Sequence, residues 1–218
     1  LDPGADNLPY EPDVDVRDWI SLEEIMDSYN LGPNGAQIAC ADLVALNIGE
    51  IKETIESFKS DYVLVDTPGQ LELFVFRESA RQIINFLNTT KTMIAYLIDH
   101  ALAKTASSFI SQNLLSLNTN FRLQQPHVNL LSKTDMLSDE EVKQVEKWSD
   151  DIYELEHSLY REQASMHREL NEEIIKMMNN LGNQIPTFFV GKEGLYQLED
   201  FYTTIQMQFH GGEDLMKD

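Results

Sequence analysis

The sequence predicts an α/β domain with a mostly parallel sheet and an added helical segment. Three observations carry that prediction. Short apolar runs at 62–66, 93–98, 128–131 and 187–190 alternate with stretches of helical periodicity. The runs are almost continuously hydrophobic, as strands covered on both faces are. The chain has 218 residues, enough for one such domain with a sizeable core.

Taken in order, residues 1–18 are rich in Asp, Pro and Gly, and Pro3, Pro9 and Pro12 rule out a long helix. Ser21 with Glu24 is a capping-box pair that opens a helix over 21–30. Gly32-Pro33-Asn34-Gly35, taken alone, is a tight turn that ends it. Proline sets φ at the second position and asparagine tolerates positive φ at the third. A longer helix is expected over 40–58, with Leu43, Leu46, Ile51, Ile55 and Phe58 facing the core. Cys40 reads as a small packed hydrophobe near its start. Thr67-Pro68-Gly69 stops the strand at 62–66. Helix 76–87, strand 93–98, helix 107–117 and strand 128–131 follow.

Ser138 and Glu141 form a second capping box. Val142, Val145, Trp148, Ile152, Leu155 and Leu159 recur at three- and four-residue steps, and Met166, Leu170, Ile174, Met177 and Leu181 continue the pattern. A pair of amphipathic helices over 138–185, inserted between core elements and packing on its own domain, is expected; a dimer or partner contact is the sharper alternative. Gly182 and Pro186 punctuate its end. Strand 187–190 and a helix over 196–209 complete a single domain over 1–218, whose core parts are 1–137 and 186–218. The acidic Glu213-Asp214 tail reads as a frayed end.

A net charge of −21 argues against nucleic acid or an anionic membrane as partner, since both require clustered Lys and Arg. No apolar run approaches the roughly 20 residues of a membrane span. The single Cys40 forms no internal disulfide, which suits a reducing, cytoplasmic setting. His100, His127, His157, His167 and His210 show no metal-ligand spacing.

Two stretches carry chemistry. Asp66 closes a strand ahead of Thr67-Pro68-Gly69-Gln70. A carboxylate at a parallel strand's tip lies where α/β sheets bind ligands, and it can hold Mg²⁺ beside terminal phosphates. Gly69 offers an N–H with close approach. An ordinary Pro-Gly turn is the plain alternative. Ser132-Lys133-Thr134-Asp135 follows the third strand. The stretch resembles a GTPase base-recognition motif, in which an aspartate accepts from guanine's ring N–H and exocyclic amine, whereas adenine presents an acceptor at the same ring position. The lysine stem can lie along the purine face. A surface turn with one ion pair is the alternative.

With Gly32-Pro33-Asn34 these stretches resemble the GPN-loop GTPases, dimeric P-loop GTPases named after that tripeptide. Ser132-Lys133-Thr134-Asp135 resembles their Asn-Lys-x-Asp base motif, with serine in first place. Leu1-Asp2-Pro3, Pro9-Tyr10-Glu11-Pro12 and Arg17-Asp18 resemble the segment that follows the family's second strand. The resemblance implies a three-layer P-loop NTPase fold and GTP hydrolysis to GDP with Mg²⁺ by a homodimer, linked to assembly or trafficking of large protein complexes. It implies that Asn34 acts in trans near the terminal phosphate. By the same resemblance Asp2, Gln70 and Glu72 position water, Gly69 senses the γ-phosphate and Asp66 serves Mg²⁺. Ser132, Lys133, Asp135 and Lys192 would form the guanine site. The chain contains no GxxxxGK[ST] motif. The family's phosphate loop precedes the segment that begins here at Leu1, so truncation or incomplete representation is expected. A non-hydrolytic assembly module, an ATPase and a metal-delivery NTPase are the competing readings.

Overall fold

A computed structural model describes residues 1–5, 7–88, 91–162, 168–180, 185–196 and 198–210. The expectations placed on Met166, His167, Leu181, Gly182, Glu213 and Asp214 lie outside the described residues. The chain divides into two units, Leu1–Thr92 and Met93–Asp218.

The first unit is helical. α1 (Leu22–Tyr29) is capped by Ser21, whose hydroxyl accepts the Glu24 N–H at 3.3 Å. Asn30 closes it in the left-handed region at φ 50°. The reversal therefore falls at Asn30, and Gly32-Pro33-Asn34 is not a tight turn. It is the start of α2 (Pro33–Ser57), with extended Gly32 as N-cap and Pro33 in the first turn. Proline suits that position because its missing N–H would have no helical partner.

The buried face of α2 is Ala36, Cys40, Ala41, Val44, Ile48 and Ile51. The expected stripe through Leu43 and Leu46 is displaced, and Leu46 is 78% exposed. Small residues define the true face because they let α1 and α3 (Glu78–Asn88) pack close. Arg77 grips Asp42 of α2 through two hydrogen bonds, one of them from Nε at 2.8 Å. That guanidinium holds the Asp42 carboxyl below the usual range.

Residues 62–66 are not a buried strand. Leu64 is 98% exposed, and Tyr62, Val63 and Val65 are also exposed. The composition is strand-competent, but a strand needs a neighbour, and no described residue of this unit is in a strand.

The second unit holds the sheet. β1 (Ile94–Asp99), β2 (His127–Ser132) and β3 (Thr187–Gly191) are parallel neighbours in that order, and β4 (Gly194–Leu195) adds antiparallel to β3. The three parallel strands match the expected runs. β1 departs from burial on both faces: Tyr96 and Ile98 are buried while Leu97 is 64% exposed. α4 (Ala106–Leu123) is the crossover between β1 and β2. At its interface with the sheet, Ser116 Oγ bonds Asn129 Oδ1 at 2.5 Å and His127 Nε2 at 2.9 Å. Donation to Asn129 leaves Ser116 to accept from Nε2–H. The His127 Nδ1 is then a bare, buried lone pair with no partner. Burial lowers the His127 pKa to about 4.

Among the described residues the segment after β2 holds three helices, α5 (Asp139–Asp150), α6 (Ile152–Arg161) and α7 (Arg168–Asn180), rather than two. Asp151 is extended and caps α6 by accepting the Tyr153 N–H at 2.8 Å, which breaks the expected single helix. The Ser138–Glu141 capping box forms in both directions. Val145, Trp148, Ile152, Leu155 and Leu159 are buried as their spacing predicts. Trp148 meets Phe109 of α4 with ring centroids 5.9 Å apart, so the segment packs on its own unit. In α7 the buried residue is Ile175, while Leu170 and Met177 are exposed. α8 (Leu198–His210) sets Phe201 edge-on to Phe188 at 5.2 Å.

Candidate functional site

In the second unit the C-terminal ends of the parallel strands bring the predicted base residues together. Asp99 and Ser132 are register partners at the ends of β1 and β2. The Ser132 hydroxyl donates to the Ile98 carbonyl at 3.1 Å, so it braces the loop against β1. Lys133 takes the left-handed conformation at φ 55° and ψ 42°. That costs a residue with a Cβ on the order of 1 kcal/mol. It turns the chain so that residues 134–136 form a short 3-10 turn with Asp135 exposed. Asp135 Oδ1 accepts the Lys192 main-chain N–H at 2.9 Å. This one bond joins the loop after β2 to the loop after β3. Ser132, Lys133, Asp135 and Lys192 are thus assembled in one place, Lys192 through its backbone.

Two further residues belong to this edge. Asp99 Oδ1 accepts the Ala101 N–H at 2.9 Å, and Asp99 Oδ2 lies 3.6 Å from Lys133 Nζ. The Ala101 N–H, then His100 and Lys133, hold the Asp99 carboxyl below the usual carboxylate range. Thr134 is buried, with its hydroxyl lacking a partner and lying against Gly191. The sequence signal for Asp99 was an acidic residue closing an apolar strand, the same signal that marks Asp66.

In the first unit the N-terminal segment joins Asp2 and Asp66. The Leu1 amine donates to the Asp66 carbonyl at 2.5 Å, and the Tyr10 hydroxyl donates to Asp66 Oδ2 at 2.5 Å. That bond raises the Tyr10 pKa. Asp2 Oδ1 accepts the Gly4 N–H at 2.9 Å, and a Cβ on Gly4 would lie 3.1 Å from Gln37 Nε2. Asp2 therefore sits beside the early turns of α2, the helix that Gly32, Pro33 and Asn34 begin. A groove of about 730 Å³ opens on Asp2, Tyr10 and Asp66.

Gly32, Pro33 and Asn34 are exposed, and no side chain caps the helix. Asn34 and its neighbouring N–H groups carry the positive end of the α2 dipole. Gly69, Gln70 and Glu72 are exposed around a short 3-10 turn over 71–73, and nothing lies within 4 Å of a Cβ built on Gly69. The expected close approach at Gly69 is therefore open space in this unit. Among the described residues no three or more His, Cys, Asp or Glu side chains group to hold a metal. A lone exposed Asp66 carboxylate fits Mg²⁺, which is commonly held by one or two carboxylates together with phosphate oxygens and water.

Comparisons with known proteins bear on family and fold. The model of a family described as "Conserved hypothetical ATP binding protein" matches residues 1–211. GPN-loop GTPase QQT1 of Arabidopsis thaliana is 33% identical over 190 residues, which is 83% of this chain and 63% of that protein. GPN-loop GTPase 3 of Mycosarcoma maydis is 28% identical over 209 residues, covering 94% of this chain and 70% of that one. GPN-loop GTPase 1 of Schizosaccharomyces pombe is 27% identical and aligns with all of this chain, which spans 58% of its length. The crystal structure of a GTPase in apo form from Pyrococcus abyssi superposes with a TM-score of 0.82 at 29% identity, covering 96% of this chain and 84% of that one. That likeness gives the α/β fold of the P-loop NTPases. With the family model matching residues 1–211 and GPN-loop GTPases aligning with most of the chain, the chain belongs to the GPN-loop GTPase family.

Proposed function

We propose that this chain binds GTP and GDP and takes part in GTP hydrolysis as a homodimer. The observation that carries the reading is Asp135: an exposed carboxylate at the end of a parallel strand, held by one N–H and open to further donors. Guanine supplies two donors at the matching edge, and adenine supplies an acceptor that would repel it. Lys133 gives its stem to the face of the base.

Asp66 would hold Mg²⁺, which when bound neutralises charge on the terminal phosphates. Asp2, Gln70 and Glu72 are the groups available to orient the attacking water. Asp2 is pre-set by Gly4, whereas Gln70 and Glu72 are free to adjust. Their contribution is positioning, which accounts for most of the catalysis of phosphoryl transfer. Asn34 would act across the dimer, with its amide and the positive end of α2 meeting negative charge. The family resemblance supports a role in assembly of large protein complexes and a cytoplasmic setting.

Phosphate release from GTP with Mg²⁺ tests this reading. In a protein that carries the family's phosphate loop ahead of this chain, hydrolysis is expected, lost in Asp66→Ala and in Asn34→Ala, and partly restored when the two variants are mixed. Binding without hydrolysis would leave the non-hydrolytic assembly module. Equal loss in mixed and unmixed samples would contradict action in trans.

A further inference from the structure

We infer that Gly191 is a positioning residue of the base site, and that Lys192 serves that site through its main-chain N–H. The inference rests on the guanine reading of Asp135. β3 ends at Gly191 and reverses through Lys192 and Glu193 into β4, with Gly191 opposite Gly194. Gly194 stands at φ 112°, where a side chain is strained. The hairpin brings back Tyr196, whose N–H donates to the Phe189 carbonyl at 3.0 Å.

The crowding at Gly191 comes from this hairpin and from the base loop together. A Cβ there would lie 2.8 Å from Thr134 Oγ1 and 3.1 Å from both Cε2 and Oη of Tyr196. Tyr196 is 62% exposed and can yield. Thr134 is 3% exposed and sits in the 3-10 turn beside Asp135, so its enclosed hydroxyl has little room to turn aside, and a shift of its backbone would carry the carboxylate with it. Only a residue without a Cβ lets the end of β3 run this close to the turn. That approach places the Lys192 N–H 2.9 Å from Asp135 Oδ1. A charge-assisted bond of this kind fixes the carboxylate before any base arrives. Its remaining lone pairs stay available to the two guanine donors. The Lys192 ammonium takes no part in this bond.

Amide hydrogen exchange of residue 192, followed by NMR in this chain, tests the inference, with the amides of β2 as the internal control of folding. In the wild type the Lys192 amide is expected to exchange at least about tenfold more slowly than an unbonded amide. Gly191→Ala is expected to remove that protection, Lys192→Ala to keep it, and Thr134→Ala combined with Gly191→Ala to restore it. If Gly191→Ala does not fold, Asp135→Ala carries the same test, because removing the acceptor must free the Lys192 amide. Protection absent in the wild type, or surviving Gly191→Ala or Asp135→Ala, would overturn the inference.

Titration with GDP and ADP separates the inference from the reading beneath it. No preference for GDP in the wild type would fail the guanine reading and leave the exchange result standing. A preference reduced about tenfold by Gly191→Ala, the scale of one hydrogen bond to a charged group, supports both. A preference that Gly191→Ala spares and Lys192→Ala abolishes would overturn the backbone role.

Discussion

The two units handle their functional residues in opposite ways. In Met93–Asp218 the site residues hang from strand ends and are tied by main-chain groups: Ser132 to the Ile98 carbonyl, Asp99 to the Ala101 N–H and Asp135 to the Lys192 N–H. In Leu1–Thr92 the corresponding residues stand on helix starts and turns. The Asp66 carboxylate accepts from the Tyr10 hydroxyl, and Asn34, Gly69, Gln70 and Glu72 are exposed. On the proposed reading, base recognition would be built into a parallel sheet and its hairpin. The residues proposed to serve the phosphates are, apart from Asp2 and Asp66, exposed and without such ties among the described residues, as would suit groups that close on substrate.

Predictions that break or sharpen this contrast range from core to surface. Phe109→Ala should cost about 3–5 kcal/mol, because Phe109 is 2% exposed against Trp148. Leu64→Ala, at a position 98% exposed, should change stability by no more than about 0.5 kcal/mol. Urea unfolding of both variants checks the pair, and a large loss at Leu64 would mean that residues 62–66 are packed after all.

The next effect is a pH dependence in the second unit. The His127 pKa is lowered from 6.5 to about 4 by burial. The unfolded chain therefore binds a proton more readily than the folded one between these values. Stability contributed by neutral His127 is complete above pH 6.5 and is lost as pH falls towards 4, by about 3 kcal/mol in all. Urea midpoints measured from pH 7 to 4 should fall accordingly, and His127→Gln should flatten that part of the profile.

A smaller effect is expected at the helix start. Gly32 has an ordinary φ of −73° and nothing lies within 4 Å of a built Cβ, so neither backbone nor packing in this unit demands glycine. Gly32→Ser should supply the missing cap and raise stability by a few tenths of a kcal/mol. A fall in GTP hydrolysis without a fall in stability would then report on whatever approaches this loop in the assembled protein.

Much of the second unit was legible in the sequence. The runs at 93–98, 128–131 and 187–190 are apolar and lie beside one another as strands, and Ser138 with Glu141 marks a helix start by local chemistry alone. The buried series from Val145 to Leu159 follows from its spacing, although the break at Asp151 was hidden in an unbroken hydrophobic pattern. The first unit was harder because its decisive features depend on neighbours. Residues 62–66 have strand composition and no strand beside them in the unit. Pro33 suits either a turn or a first helical turn, and the positive φ at Asn30, invisible to pattern, decides the matter. Asp135 stands out as a candidate base residue from chemistry and order. Its bond to the Lys192 backbone was not legible, because the hairpin at 191–196 rests on two glycines and one pairing too short for any periodicity to register.

The most direct test of the prebuilt base site is calorimetric titration of the wild-type chain and Asp135→Asn with GDP and with ADP, each with Mg²⁺. Guanine-selective binding is predicted for the wild type. Asp135→Asn should lose about 10²-fold of that selectivity or more, since the amide presents a donor to a donor. Equal affinity for GDP and ADP in the wild type, or selectivity untouched by Asp135→Asn, would contradict the assignment of the strand-end loop to the base.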